Sequence, residues 1–307
     1  MHFVPCALFG ACVYALVLSG SFSGQGNWDL ILRMSWSAIG GALLLVGSGA
    51  AILGLLLYPF QVRAVRVLEG YWDRWPATAG LAGVLTEVQR RRRQALRQRI
   101  AAAPRTDSHS SHVAADAARR LAAVPPEEWL LPTALGNALR AGELSAGERY
   151  GLVTLSSWPR IHMQVSDRLA GALHSARSAL DTAVNFCWSF LACAIVASIA
   201  LCDEPGMLWL PLLAMLLAAL AYKGSVTAAQ AYAGLMHVVY DLHRFDLLDA
   251  LHHPLPNRTS EMDTFWQVSQ SFGGQGNSDL PYEHRQGQRR YRHQPSDARD
   301  AHGSADA

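Results

Sequence analysis

Long charge-free tracts alternate with arginine-rich stretches along this chain, and the spacing of those tracts predicts the architecture. The two nearest each other, 184–202 and 207–222, are separated only by Asp203-Glu204-Pro205-Gly206. A hydrocarbon core about 30 Å thick requires roughly 20 apolar residues in a helix. The first tract meets that length. The second is near the short limit and carries Pro211, which a membrane helix tolerates when neighbours satisfy the freed backbone. So short a connection makes the two antiparallel neighbours, a transmembrane hairpin. The tract 37–58 is a further span, with Gly40, Gly41, Gly47, Gly49 and Gly54 open to close helix approach. Trp28, Trp36 and Tyr58 flank it as interfacial aromatics do. The tract 3–20 lacks the positively charged start of a secretory signal peptide, which favours a retained helix; cleavage would leave three spans instead of four.

Amphipathic patterns fill the rest. Within 59–75, Ala64, Val65, Leu68, Tyr71, Trp72 and Trp75 recur at helical spacing against Arg63, Arg66, Asp73 and Arg74. The piece 81–103 repeats this with Leu81, Val84, Leu85, Val88, Leu96 and Ile100, beside Arg90, Arg91, Arg92, Arg93, Arg97 and Arg99. Basic amphipathic helices next to a span lie on anionic lipid, so Arg63, Arg66 and the arginines of 90–99 are candidate lipid contacts, against the plainer reading of a solvated face. Leu169, Leu173, Ala176, Leu180 and Val184 form one stripe running into the third span, and Leu235, Val239, Leu242, Leu248 and Leu251 continue the fourth. Both predict long helices that leave the membrane as an antiparallel stalk. After Val268 aliphatic residues thin out, and 253–307 reads as a disordered tail.

The expected fold is therefore all-α: a four-span helical membrane protein with long cytoplasmic helical extensions and a disordered C-terminal tail. Its parts are an N-terminal pair of spans (1–58), an Arg-rich helical region (59–165), the long hairpin (166–252) and the tail (253–307). Charge sets the orientation. Segment 59–183 holds seventeen of the 26 basic residues and 223–307 eight, whereas the loop 21–36 holds one, Arg33, and the turn 203–206 none. Cytoplasmic loops retain Lys and Arg, so both large segments and both termini fall inside, in a plasma membrane. The near-exclusive use of Arg, with Lys223 the sole lysine, suggests a GC-rich bacterial source.

Chemistry is sparse. The five cysteines all lie in or beside apolar tracts and suit packing better than disulfides or zinc. A net charge of +2, with no aromatic or groove-reading motif beside the arginines, gives no reason to expect nucleic acid. His109 and His112 are too isolated for a metal site. No Gly-rich phosphate loop or His-Glu-x-x-His occurs, so neither a cofactor nor a catalytic set is expected. The near-repeat of 21–30 in 271–280 would put the copies on opposite sides of the membrane.

The most distinctive polar segment is 129–161. Leu131, Leu135 and Leu139 mark an apolar side, Pro132 suits a first helical turn, Arg140 and Glu143 face away from it, Gly151 marks a turn, and Pro159 holds Trp158 extended. The run Leu131-Pro132-Thr133, Leu135-Gly136-Asn137, Leu139-Arg140-Ala141, Glu143, Arg149-Tyr150-Gly151 and Trp158-Pro159-Arg160, continued by Asp241 to Leu248 and Leu255-Pro256, resembles a signature of uncharacterised bacterial multi-pass membrane proteins. That resemblance implies membership and no activity. Ala134 stands where the pattern usually carries Arg. Asn137, Arg140, Glu143, Arg149, Tyr150, Trp158, Arg160 and Arg244 are the candidate interaction or packing residues. The function expected is a non-catalytic scaffold or signalling protein, with a protein partner or a second copy docking on its cytoplasmic helices. An oligomeric channel or transporter component and a membrane-tethered enzyme are the alternatives.

Overall fold

The structure, a computed structural model, describes residues 3–72, 76–102, 108–274 and 281. Among these every regular element is helical: α1 (Phe3–Ser19), α2 (Asp29–Leu32), α3 (Trp36–Leu57), α4 (Gln61–Glu69), α5 (Pro76–Ala102), α6 (Ser108–Ala122), α7 (Ala134–Glu143), α8 (Thr154–Ile161), α9 (Asp167–Ala200), α10 (Trp209–Ala250) and α11 (Glu261–Phe272), with short 3₁₀ turns between. The chain forms two compact units, Met1–Ala146 with Ser166–Val238, and Gly147–Val165 with the described residues from Val239 onward.

Three segments are long and apolar enough to cross a membrane: Trp36–Glu69, which contains α3, then Asp167–Ala200 and Pro205–Ala250. The fourth expected span, α1, is a shorter apolar helix of 17 residues, about 25 Å at 1.5 Å per residue and so at the lower limit of helices that cross a hydrocarbon core. Both hairpin helices run past their apolar tracts as the sequence pattern predicts: α9 is 34 residues and α10 is 42, each unbroken. Pro211 is the third residue of α10, where its missing N–H has no helical partner to lose.

In the first unit α1 lies between α3 and α9. The Ser189 hydroxyl donates to the Pro5 carbonyl, and Leu16 packs with Ala197, Ala200 and Leu201. Beyond the helix ends, the Glu204 carboxylate accepts the Gly26 N–H and, at 3.2 Å, the Trp28 indole N–H. The partners rise together along both helices, so α1 and α9 are parallel, and the loops after them meet at one end. At the other end a core of Val65, Leu135, Leu139, Leu180, Val184 and Ala229 joins α4, α7, α9 and α10.

Three local expectations are corrected. The amphipathic pattern of 59–75 is not one helix: Gly70 at φ +95° ends α4 and takes Tyr71 and Trp72 off the helical path, while residues 73–75 lie outside the described ones. Trp158 is helical within α8, although Pro159 follows it and disfavours that conformation. The tail is not uniformly without structure. Residues 261–272 form α11, whose Phe265 and Val268 are fully buried in the second unit, with Phe265 5.9 Å from the ring of Phe245. The second copy of the near-repeat falls mostly outside the described residues.

Candidate functional site

The motif 129–161 divides between the two units. In the first, helix α7 starts at Ala134 with Thr133 as its N-cap: the Thr133 hydroxyl accepts the Gly136 N–H at 3.0 Å and donates to the Glu69 carbonyl at 2.7 Å. Pro132 therefore precedes the helix and does not occupy its first turn. Asn137 is 2% exposed and closes the preceding loop like a staple. Its carboxamide accepts the Leu131 N–H at 2.8 Å and donates to the Leu131 carbonyl at 2.9 Å. Arg140 lies 3.6 Å from Glu143 and places its guanidinium 4.9 Å from the centroid of the Trp129 ring. Burial pushes the Glu143 carboxyl above its ordinary range, and Arg140 only partly offsets this.

The remaining motif residues form their own set in the second unit. Arg149 and the Tyr150 hydroxyl both reach the Asp241 carboxylate, at 2.8 Å and 2.6 Å. Arg244 pairs with Glu261 at 2.8 Å and lies 4.3 Å from the rings of both Tyr150 and Phe245. Trp158 stacks on Tyr240 at 6.2 Å, and Arg160 bonds the Ser156 carbonyl at 2.7 Å while covering Phe272 at 4.0 Å. Deeper in, the buried Ser157 hydroxyl meets the Tyr240 hydroxyl at 2.8 Å. Every candidate motif residue thus has an internal partner.

The candidate lipid-contacting arginines differ in availability. Arg63 and Arg66 are exposed on α4. Arg90 is held by Glu87 at 2.7 Å and by Glu127 at 2.8 Å, and Arg91 reaches Glu87 at 3.2 Å. Arg93 is half-buried, while Arg92, Arg97 and Arg99 are exposed. Leu81, Val84 and Val88 are also exposed, and at 100° per residue they share one face of α5 with Arg92 and Arg99. That face is apolar at one end and basic at the other.

Two features escaped the sequence reading. Ser145 and His237, on α10, approach to 3.1 Å. The Ser145 hydroxyl donates to the Ala141 carbonyl, so His237 offers it a proton and does not receive one, the reverse of an activated nucleophile. An apolar cavity also lies among α1, α3, α4 and α9. Neither leaves a periodic signal, because each joins residues far apart in sequence. Among the described residues no group of three or more His, Cys, Asp or Glu side chains is placed to hold a metal ion. No family model matches the chain, and no curated protein or solved structure matches it either.

Proposed function

We propose that the chain is a four-span membrane protein with both termini and the large 59–183 segment on the cytoplasmic side, acting as a non-catalytic scaffold or signalling partner. The parallel course of α1 and α9 supports the topology. It gathers the loop after α1 and the turn after α9 at one end, around Glu204, and that end carries Arg33 alone among basic residues. The opposite end feeds the Arg-rich segments, as positive-inside retention requires. The basic and apolar face of α5 would rest on anionic lipid beside the spans.

One observation carries the scaffold reading. The motif's polar side chains are committed to internal contacts, while the second unit leaves Leu155 (55% exposed), Met163 (79%), Leu242 (64%) and Trp266 (56%) facing outward. Exposed large apolar groups of this kind suit a partner chain or a second copy. Crosslinking in native membranes tests this. A defined crosslinked species should form and should be lost in a Met163→Ser, Trp266→Ser double variant that melts like the wild type. A monomer under all crosslinking conditions refutes the scaffold reading. A tag at residue 307 that is accessible from outside intact cells refutes the topology.

A further inference from the structure

The cavity among α1, α3, α4 and α9 has a volume of about 380 Å³, at the small end of ligand pockets, which run from roughly 300 to 1,000 Å³. Pro5, Phe9, Leu53, Leu57, Phe60 and Trp188 supply its apolar walls. Three elements fix its depth independently. Pro5 is the third residue of α1, Leu57 is the last of α3, and Trp188 follows closely on the start of the charge-free tract of α9. All three meet where the apolar helices give way to Gln61, Arg63 and Arg66.

Asn185 is also part of the lining and is engaged within the protein, and the other polar side chains there have internal partners. The Trp188 indole N–H donates to the Ala64 carbonyl at 3.2 Å, the Gln61 carboxamide to the Asp181 carbonyl at 3.5 Å, and the Ser189 hydroxyl to the Pro5 carbonyl. A water needs two to four polar partners to be held in a cavity, so an apolar occupant suits this one better. A cation stands at its rim: the Arg63 guanidinium lies 5.8 Å from the ring of Phe60, itself a wall of the cavity.

We propose that this cavity takes one acyl chain of an anionic phospholipid from the arginine-rich leaflet, with the phosphate drawn to Arg63. The site rests on the reading that α1, α3 and α9 cross the bilayer. It is distinct from the α5 face, which touches lipid headgroups only from outside. The volume accommodates a single chain, so one lipid binds per protein, and a single juxtamembrane arginine favours an anionic over a zwitterionic headgroup by about fivefold.

The test uses the full chain, delipidated in detergent and given equal amounts of phosphatidylglycerol and phosphatidylcholine. Native mass spectrometry then counts the retained lipid. One saturable lipid is expected, with phosphatidylglycerol preferred. Ala192→Phe, which fills the cavity from α9, should reduce retention to the level of non-specific adducts. Arg63→Gln should keep a lipid but lose the headgroup preference. If Ala192→Phe does not fold, Cys6 of the wild type decides. Cys6 lines the cavity and is only 8% exposed, and its alkylation, followed by peptide mapping, should be slower with phosphatidylglycerol bound than in delipidated protein. Unsaturable uptake, equal retention by Ala192→Phe, equal retention of the two lipids, or Cys6 reactivity indifferent to phosphatidylglycerol each overturns the proposal. A chain that needs detergent for extraction but retains no lipid sinks this inference alone. A chain that stays in solution after membranes are pelleted sinks the membrane reading as well.

Discussion

Replacing Gly136 with alanine separates helix propensity from packing. In an unconstrained helix, alanine in place of glycine is favourable by about 1 kcal/mol. Here a β-carbon would collide with the Glu69 carbonyl oxygen, lying 2.9 Å from its carbon and 2.9 Å from Leu131 Cδ1. Backbone cannot swing away as a side chain does, so α4 and α7 must separate, at an overpacking cost of roughly 1–3 kcal/mol. Separation also stretches the 2.7 Å hydrogen bond from Thr133 to the same carbonyl, a loss of about 1 kcal/mol. The propensity gain offsets only part of this, leaving Gly136→Ala destabilised by about 1–3 kcal/mol. Melting in detergent micelles, followed by tryptophan fluorescence, should fall by several degrees, since 1 kcal/mol corresponds to about 2–4 °C in a chain of this order. Gly171 is the control. It is exposed within α9, and a β-carbon there would meet nothing within 4 Å, so Gly171→Ala should hold or raise the melting temperature. If Gly136→Ala melts at or above the wild type, the close approach of α7 to the end of α4 is wrong.

Asn137→Ala leaves the Leu131 N–H and carbonyl without their side-chain partner; at about 1–3 kcal/mol for a buried orphan, its melting loss should exceed that of any exposed substitution in α7. Arg149→Ala breaks an ion pair whose side chains are 40% and 42% exposed and should shift stability by at most about 1 kcal/mol. Arg244→Ala breaks one at 18% and 22%, stacked on two rings, and should lose clearly more in the same melt; equal losses would contradict the burial difference. The raised Glu143 carboxyl binds its proton more tightly in the fold than in the unfolded chain. Its contribution is therefore fully present below the ordinary value of 4.5 and lost as pH rises through the folded value. Glu143→Gln should flatten that decline in melts taken from pH 4 to 8, and an unchanged slope would count against the burial.

The parts of the fold readable in advance are those written as long periods. The uncharged tracts of α3, α9 and α10, and the stripe of Leu173 and Leu180 carrying α9 back to Asp167, need no knowledge of neighbours. Short elements with distant partners were hidden. Helix α11 buries little more than Phe265 and Val268, and what holds them is the second unit around Phe245. Gly70 looks innocuous within a strong amphipathic pattern until its left-handed φ ends the helix. The eight motif residues stand out together in the sequence, but not their division into an Asn137–Arg140–Glu143 group and an Arg149–Tyr150–Arg244 group. That division depends on which helix each side chain meets. In the first copy of the near-repeat Gly26 and Trp28 hold Glu204, whereas the later copy has Ser278 in place of that tryptophan.

The size of the side chains that are buried points most strongly to lipid around these helices. A water-soluble bundle puts large aliphatic side chains inside. Here the order is reversed. The buried positions in the apolar tract of α9 are Val184, Cys187, Ser189, Cys193, Ala194, Ala197 and Ala200, and in α3 they are Ala50 and Gly54. Meanwhile Leu43, Leu44, Leu45, Ile52, Leu55 and Leu56 of α3 are 61–77% exposed. Scaling about 1.5–3 kcal/mol for each fully buried aliphatic side chain by these exposed fractions, those six alone forgo roughly 6–12 kcal/mol if water is the solvent. That is comparable to the whole stability of an ordinary domain, about 5–15 kcal/mol. In hydrocarbon the same exposure costs nothing, because lipid tails are as apolar as leucine, and helices then associate through small residues that let backbones approach.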